Sequence, residues 1–230
     1  MTAPHEKDSR LNRIRRALGN RALSYTGSTG SGATAASLAL NGPAPAFGVS
    51  LSELSARDGE SPNEVPTILR HLCDFLEAHG LYTVGLFRVS PSQRAVSRLR
   101  CSMDRLGPDA LPLEAPQDVL PAATLLKQFL RDLPEPVIPA ALNDVFLSAV
   151  KAPCPEEELR KATDCLPLLH FRVLRYLLRF LFRISLAEAT NRMSPEALAV
   201  VFAPNLMPMP PKMAQAKQIQ VRAAKTSKVV

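Results

Sequence analysis

The stretch D-V-L-P-A-A-T-L-L-K-Q-F-L-R-D-L-P-E-P, residues 118–136, carries the fold class in miniature. Asp118 is a residue type that caps helix N-termini. Ala122, Leu126, Phe129, Leu130 and Leu133 then recur at helical spacing, forming an apolar stripe wide enough to bury. Pro134 and Pro136 cannot continue a helix and stop it. Lys127 and Arg131 lie four residues apart, so they share one side of the helix beside that stripe.

The same grammar repeats in both directions along the chain. Ser61-Pro62-Asn63-Glu64 reads as a capping box with Pro at the first helical position. Val65, Ile68, Leu69, Leu72 and Leu76 keep the period, and Gly80 is placed to end the helix. Ser90-Pro91-Ser92-Gln93 repeats the start signal ahead of Val96, Leu99, Met103 and Leu106, with Gly107 as the stop. Further helices are expected over about 139–150 and over 155–165, the second opened by Pro155 and three Glu that suit a helix N-terminus. The longest is expected from Pro167 to about Ala189, burying Leu168, Leu174, Leu177, Leu178 and Leu181. Arg172, Arg175, Arg179 and Arg183 line its other side, which reads as a solvated face. A last helix starts at Ser194-Pro195, passes through Leu198, Val201 and Phe202, and ends at Pro204. No stretch alternates with the period of a strand, so the class is all-α.

The 230 residues suffice for one domain with tails. Trp is absent, so the core must rest on Leu, Val, Ile and Ala. Cys73, Cys101, Cys154 and Cys165 form no C-x-x-C pair, which disfavours a metal site and favours buried, reduced thiols. With no secretory signal in view, a reducing, cytoplasmic setting fits. Arg residues interrupt every long apolar run, so no segment is expected to span a membrane.

The net charge of +7 suggests nucleic acid until it is located. Residues 47–210 hold 17 basic and 19 acidic residues, whereas residues 1–46 carry +4 and residues 211–230 carry +5. A nucleic-acid reader keeps its basic stripe on the fold; here the charge sits in the tails, so no nucleic-acid partner is expected. In residues 1–25, Leu11, Ile14 and Leu18 would give a short helix one apolar side among several Arg. That allows a weak contact with an anionic membrane surface and membrane-peripheral recruitment, but a disordered basic tail is the preferred reading. Residues 26–46, rich in Gly, Ser, Ala and Pro, read as a flexible linker, and the folded part is expected to start near Phe47.

No segment offers an enzyme of its own. The phosphate-loop spacing is missing, and Gly27, Gly30 and Gly32 lie in the linker. His5, His71, His79 and His170 show no local pairing with a nucleophile. Three other segments stand out together. Gly85-Leu86-Phe87-Arg88-Val89-Ser90 lies between a helix stop and a helix start. There Gly85 frees the backbone to turn, Leu86 and Phe87 anchor in the core, and Arg88 projects outward. The second is the helix with Lys127 and Arg131. The third, from Asn191-Arg192-Met193 to Ala203-Pro204-Asn205-Leu206, ends by presenting Asn205.

Taken in this order on an all-helical background, these blocks resemble the Rho GTPase-activating (RhoGAP) domain over about residues 47–206. Residues 85–88 match its G-[IL]-[FY]-R loop, residues 127–136 its K-x-[FY]-[LF]-R-[ED]-L-P-[ED]-P block, and residues 191–206 its Asn-to-Leu block. The lead-in Phe47-Gly48-Val49 and the Leu166-Pro167 helix start also agree. The resemblance implies a helical domain that binds the GTP-bound state of a Rho-, Rac- or Cdc42-type small GTPase and accelerates hydrolysis. GTP and Mg2+ would belong to the partner, and the domain would need no cofactor. Arg88 would be the arginine finger, supplied in trans to offset transition-state charge. Lys127 and Arg131 would support the finger loop and docking face, with Gly85 shaping the loop, and Asn205 would hydrogen-bond the GTPase. Two other functions compete: a catalytically weak GTPase-binding module of the same fold, and a basic-tail membrane-binding scaffold. The family continues past the Asn loop into a closing helix. The Pro- and Lys-rich 207–220 and the ending Lys228-Val229-Val230 therefore read as a domain over 47–230 cut short in its last helix, an isoform or a fragment.

Overall fold

The computed structural model describes residues 45–58, 64–106 and 116–207. The basic tail, most of the linker, Ser61 to Asn63, Gly107 and the C-terminal segment from 208 lie outside the described residues. The described chain forms α1 (Leu51–Arg57), α2 (Thr67–Gly80), α3 (Gln93–Leu106), α4 (Val119–Asp132), α5 (Asn143–Val150), α6 (Pro155–Thr163), α7 (Leu168–Ser185), α8 (Glu188–Asn191) and α9 (Pro195–Leu206). Two 3-10 turns, Pro116–Asp118 and Ala140–Leu142, precede α4 and α5. There is no strand among the described residues. No helix there is long and apolar enough to cross a membrane.

The helix read first from the sequence lies at the centre. α4 packs against α2, α3 and α9. Partners on several sides explain why it buries Val119, Pro121, Ala122, Ala123, Leu125, Leu126, Phe129 and Leu130, far more than one stripe. α7 closes the other side of the bundle, against α1, α2 and α9, while α5 and α6 form a hairpin. The N-terminal lead-in is tied down by Phe47, whose ring meets Phe129 edge-on at 6.1 Å. The Arg100 guanidinium caps the Phe47 ring 4.4 Å from its centroid and pairs with Asp132 at 3.0 Å. Ala46 is also buried, so the fold begins slightly before Phe47.

Several boundaries differ from the sequence reading for identifiable reasons. α2 starts at Thr67, because Pro66 occupies the N-cap with extended ψ 137 and keeps Val65 out of the helix. Its first free N–H, on Thr67, is taken by the Asp58 carboxylate at 2.7 Å, a distant cap that local spacing does not reveal. Within the expected Ser90–Gln93 start signal it is Ser92, two residues after Ser90, whose side chain receives the Ala95 N–H at the start of α3. Asp118 is the N-cap of α4 but makes no side-chain cap bond; its carboxylate lies 3.6 Å from Arg98. α7 ends at Ser185, short of Ala189, because the buried Asn191 side chain turns back and donates to the Ile184 carbonyl at 2.8 Å. α9 runs through Pro204 to Leu206. Pro204 withholds an N–H from the helix, and the Asn205 side chain donates to the Val201 carbonyl at 2.8 Å.

The buried side of α7 also needs correction. Leu168 and Leu178 are each 52% exposed, and the helix buries Leu169, Val173, Leu174, Leu177, Phe180, Leu181 and Ile184. Of the four thiols, Cys73 and Cys165 are buried but Cys101 and Cys154 are exposed. Burial pushes the Cys73 thiol up, reinforced by Asp74 and Glu77.

The α7 register gives a direct check by urea denaturation. Leu177→Ala is expected to cost about 2–5 kcal/mol, the range for deleting a buried Leu. Leu178→Ala, one residue on, should stay within about 0.5 kcal/mol.

Candidate functional site

The chain leaves α2 at Gly80 and reaches α3 through a turn-rich loop that contains the 85–88 block. Gly85 sits at φ +70, and a Cβ there would lie 3.0 Å from the Val89 side chain, so glycine is required for conformation and space alike. Its N–H donates to the Asn191 carbonyl at 2.7 Å. Its own carbonyl accepts from Arg88 N and Val89 N at 2.8 and 3.0 Å, which closes a single helical turn.

Phe87 is the unusual residue in that turn. It holds φ 70, in the left-handed region that side chains with a Cβ rarely adopt. Strain of this kind, on the order of 1–3 kcal/mol, persists only where the surroundings over-determine the conformation. Here they do. The Phe87 ring is 2% exposed and meets Phe202 and Phe180 edge-on at 4.8 and 6.2 Å. The Phe87 carbonyl accepts a hydrogen bond from Lys127 Nζ at 2.6 Å, a charge-assisted bond. Leu86 is fully buried. With its two predecessors locked inward, Arg88 is left exposed, with no hydrogen bond or ion pair to its side chain among the described residues.

Lys127 projects from α4 beneath this loop. Burial, and then the nearby Arg131 charge, hold its ammonium below the ordinary lysine value. Arg131 follows one turn later, exposed in the last turn of α4, where a cation suits the helix dipole. Neither Lys127 nor Arg131 meets a carboxylate among the described residues. Asn205 lies in the last turn of α9, half-buried, with its amide nitrogen engaged by Val201. Its helix is tied to the same site, because Phe202 is the ring that meets Phe87 edge-on at 4.8 Å.

The fold thus joins Gly85, Arg88 and Lys127 directly, adds Arg131 through α4, and brings Asn205 in through α9. It buries Leu86 and Phe87 as the loop's expected anchors, and it gives two residues roles that the sequence reading did not: Phe87 through its backbone conformation and Asn191 through its bond to Gly85. The N-x-M spacing marks Asn191, but nothing local shows which loop it holds. None of Arg88, Lys127, Arg131 or Asn205 lines the open groove of about 560 Å³ along α7, which Phe171, Leu178 and Phe182 border with Arg175 and Arg179. The candidate site is a protruding cation beside a cationic helix face. Such a surface is suited to entering a partner's cavity.

Comparison with known proteins bears on the fold and the family of the chain. The RhoGAP domain model matches residues 66–211. The chain is 38% identical over 168 residues to mouse unconventional myosin-IXa, which covers 71% of the chain and 6% of that protein. It is 39% identical over 165 residues to human Rho GTPase-activating protein 11A, covering 70% of the chain and 15% of that protein. It therefore spans a small part of the curated relatives it matches. Among solved structures, human Rho GTPase activating protein 15 superposes with a TM-score of 0.66 at 26% identity, covering 78% of this chain and 85% of that one. The BH domain from Graf, the GTPase regulator associated with focal adhesion kinase, shares the fold with a TM-score of 0.58 at 23% identity, covering 66% and 84%.

The left-handed backbone at Phe87 makes an unusual ordering testable. Phe87→Ala is expected to cost about 3–5 kcal/mol in denaturant unfolding. Phe87→Gly should be no less stable than Phe87→Ala, reversing the usual disadvantage of Gly, about 1 kcal/mol in regular elements.

Proposed function

Because the chain belongs to the RhoGAP domain family, we propose that it activates GTP hydrolysis by a Rho-family small GTPase and that Arg88 is its arginine finger. The exposed, unpartnered Arg88 on a loop fixed from beneath is the observation that carries this reading. The partner, in its GTP-bound state, brings the nucleotide, the Mg2+ and the attacking water, so this chain needs no cofactor. Negative charge on the transferring phosphoryl group grows toward the transition state. A guanidinium entering from outside neutralises it with planar, always-charged donors that lysine cannot copy. A finger of this kind is worth about 10³–10⁵ in rate, or roughly 4–7 kcal/mol of barrier.

The rest of the site serves that entry. A loop already locked by Phe87 loses little freedom when Arg88 is delivered, so less of the binding energy goes into ordering it. Lys127 holds the loop backbone, and its charge adds with Arg131 to attract an anionic surface around the nucleotide. Asn205 acts at the partner's switch segments by exchanging its helix bond for one across the interface. The basic termini add a separable element, weak recruitment to anionic membrane.

A single-turnover hydrolysis assay with Rho-, Rac- and Cdc42-type GTPases tests the core of this. Acceleration with at least one is expected. Arg88→Ala and Arg88→Lys should lose about 10³-fold or more of it, while affinity for the GTPase loaded with a non-hydrolysable analogue largely survives. Undiminished acceleration by Arg88→Ala would exclude the finger, and binding without acceleration by the natural chain would favour a catalytically weak binding module. Liposome co-sedimentation should weaken with salt and on deleting residues 1–25; binding indifferent to both would remove the membrane element.

A further inference from the structure

Asn191 is fully buried at 0% exposure, and every polar group the structure records on it is engaged. Its side-chain nitrogen donates to two carbonyls, Leu81 at 2.9 Å and Ile184 at 2.8 Å. Its side-chain oxygen accepts from Met193 N at 2.8 Å. Its main-chain carbonyl accepts from Gly85 N at 2.7 Å. Its main-chain N–H donates to Ala187 at 2.9 Å. The following residue, Arg192, turns left-handed at φ 61 and ends α8 there.

These bonds do not serve one helix. Leu81 is where the chain leaves α2 and Gly85 is the turning point of the loop, so a single residue holds both ends of the segment 81–85 that leads to Arg88. Ile184 lies in the last turn of α7, and Met193, itself fully buried, leads into α9. A dual-donor amide is the side-chain chemistry that satisfies two buried carbonyls while its oxygen serves an N–H. Asp has no donor when ionised, and Ala leaves both carbonyls without this partner.

We infer that Asn191 is a positioning residue for the arginine finger: it sets the height and angle of the 81–85 segment against the end of α7, while Lys127 sets the Phe87 end. The two clamps lie far apart in sequence and attach to different residues of the same loop. This inference rests on the finger reading for its functional consequence but not for its structural one. The Leu81, Gly85 and Ile184 links exist whether or not a GTPase is the partner.

The test uses the full 230-residue chain, with Asn191→Ala and with Asn191→Ser, whose hydroxyl replaces one donor only. Leu142→Ala, at a buried site by α5, serves as a variant of reduced stability that leaves the loop links in place. In Asn191→Ala, hydrogen exchange at the Gly85 amide and across 81–89 should quicken by about tenfold relative to α4, with Asn191→Ser between it and the natural chain. The maximal rate of GTP hydrolysis should fall by on the order of 10²-fold, with affinity for the analogue-loaded GTPase nearly unchanged. Leu142→Ala should show neither change under conditions where it is folded. Exchange that rises uniformly through the chain, or a rate loss matched by Leu142→Ala, would overturn the inference. Should Asn191→Ala not fold, Asn191→Ser and the Gly85 exchange decide. A natural chain with no GTPase activation would defeat the finger reading alone, because the exchange measurement still judges the clamp.

Discussion

A lysine ammonium against one main-chain carbonyl, and two phenylalanine rings packed edge to face with its own, hold Phe87 in a left-handed turn it would not keep alone. Each edge-to-face pair contributes about 0.5–1.5 kcal/mol beyond simple burial, comparable with the strain of one such residue. The ring of Phe87 goes inward, and the next side chain must go outward. Arg88 is exposed because its neighbour is locked. The helices that supply the lock are α4 through Lys127, α7 through Phe180 and α9 through Phe202, so the central bundle and the candidate site form one mechanical unit.

That arrangement explains why the candidate site is a projection beside a charged face. An enzyme that completes its own chemistry gathers its groups in a cleft. Here the cations stand without carboxylate partners among the described residues, and burial of Lys127 lowers the hold on its proton. Such charges favour an anion brought by another molecule. The acidic balance of residues 47–210 sharpens the point, because the cations of the site stand out locally against a core that is not basic overall.

Much of the fold was legible because helical periodicity is a local property. Leu126, Phe129 and Leu130 announce α4 by spacing alone, and the structure buries all three. The misplacements arose where distant groups decide the outcome. In α7 the expected Leu174, Leu177 and Leu181 are buried but Leu168 and Leu178 are not, because an apolar residue at each of many positions leaves the edges of the stripe ambiguous until contact with α1, α2 and α9 fixes them. The apolar period reaches back to Val65, but Pro66 moves the start of α2 to Thr67, and its remote cap, Asp58, is invisible to a reading of adjacent residues.

The sequence by itself determined the all-α class, the order of the helices, and the three blocks that mark the family, with Gly85, Arg88, Lys127, Arg131 and Asn205 in place. These follow from periodicity, turn chemistry and residue type, which act over a few residues. Only the tertiary structure decided that Lys127 meets the carbonyl of Phe87, that Phe87 is left-handed, and that Asn191 bonds Gly85 from far along the chain. Hydrogen bonds and ring contacts between residues far apart in sequence depend on how the helices pack, and no local pattern encodes that packing.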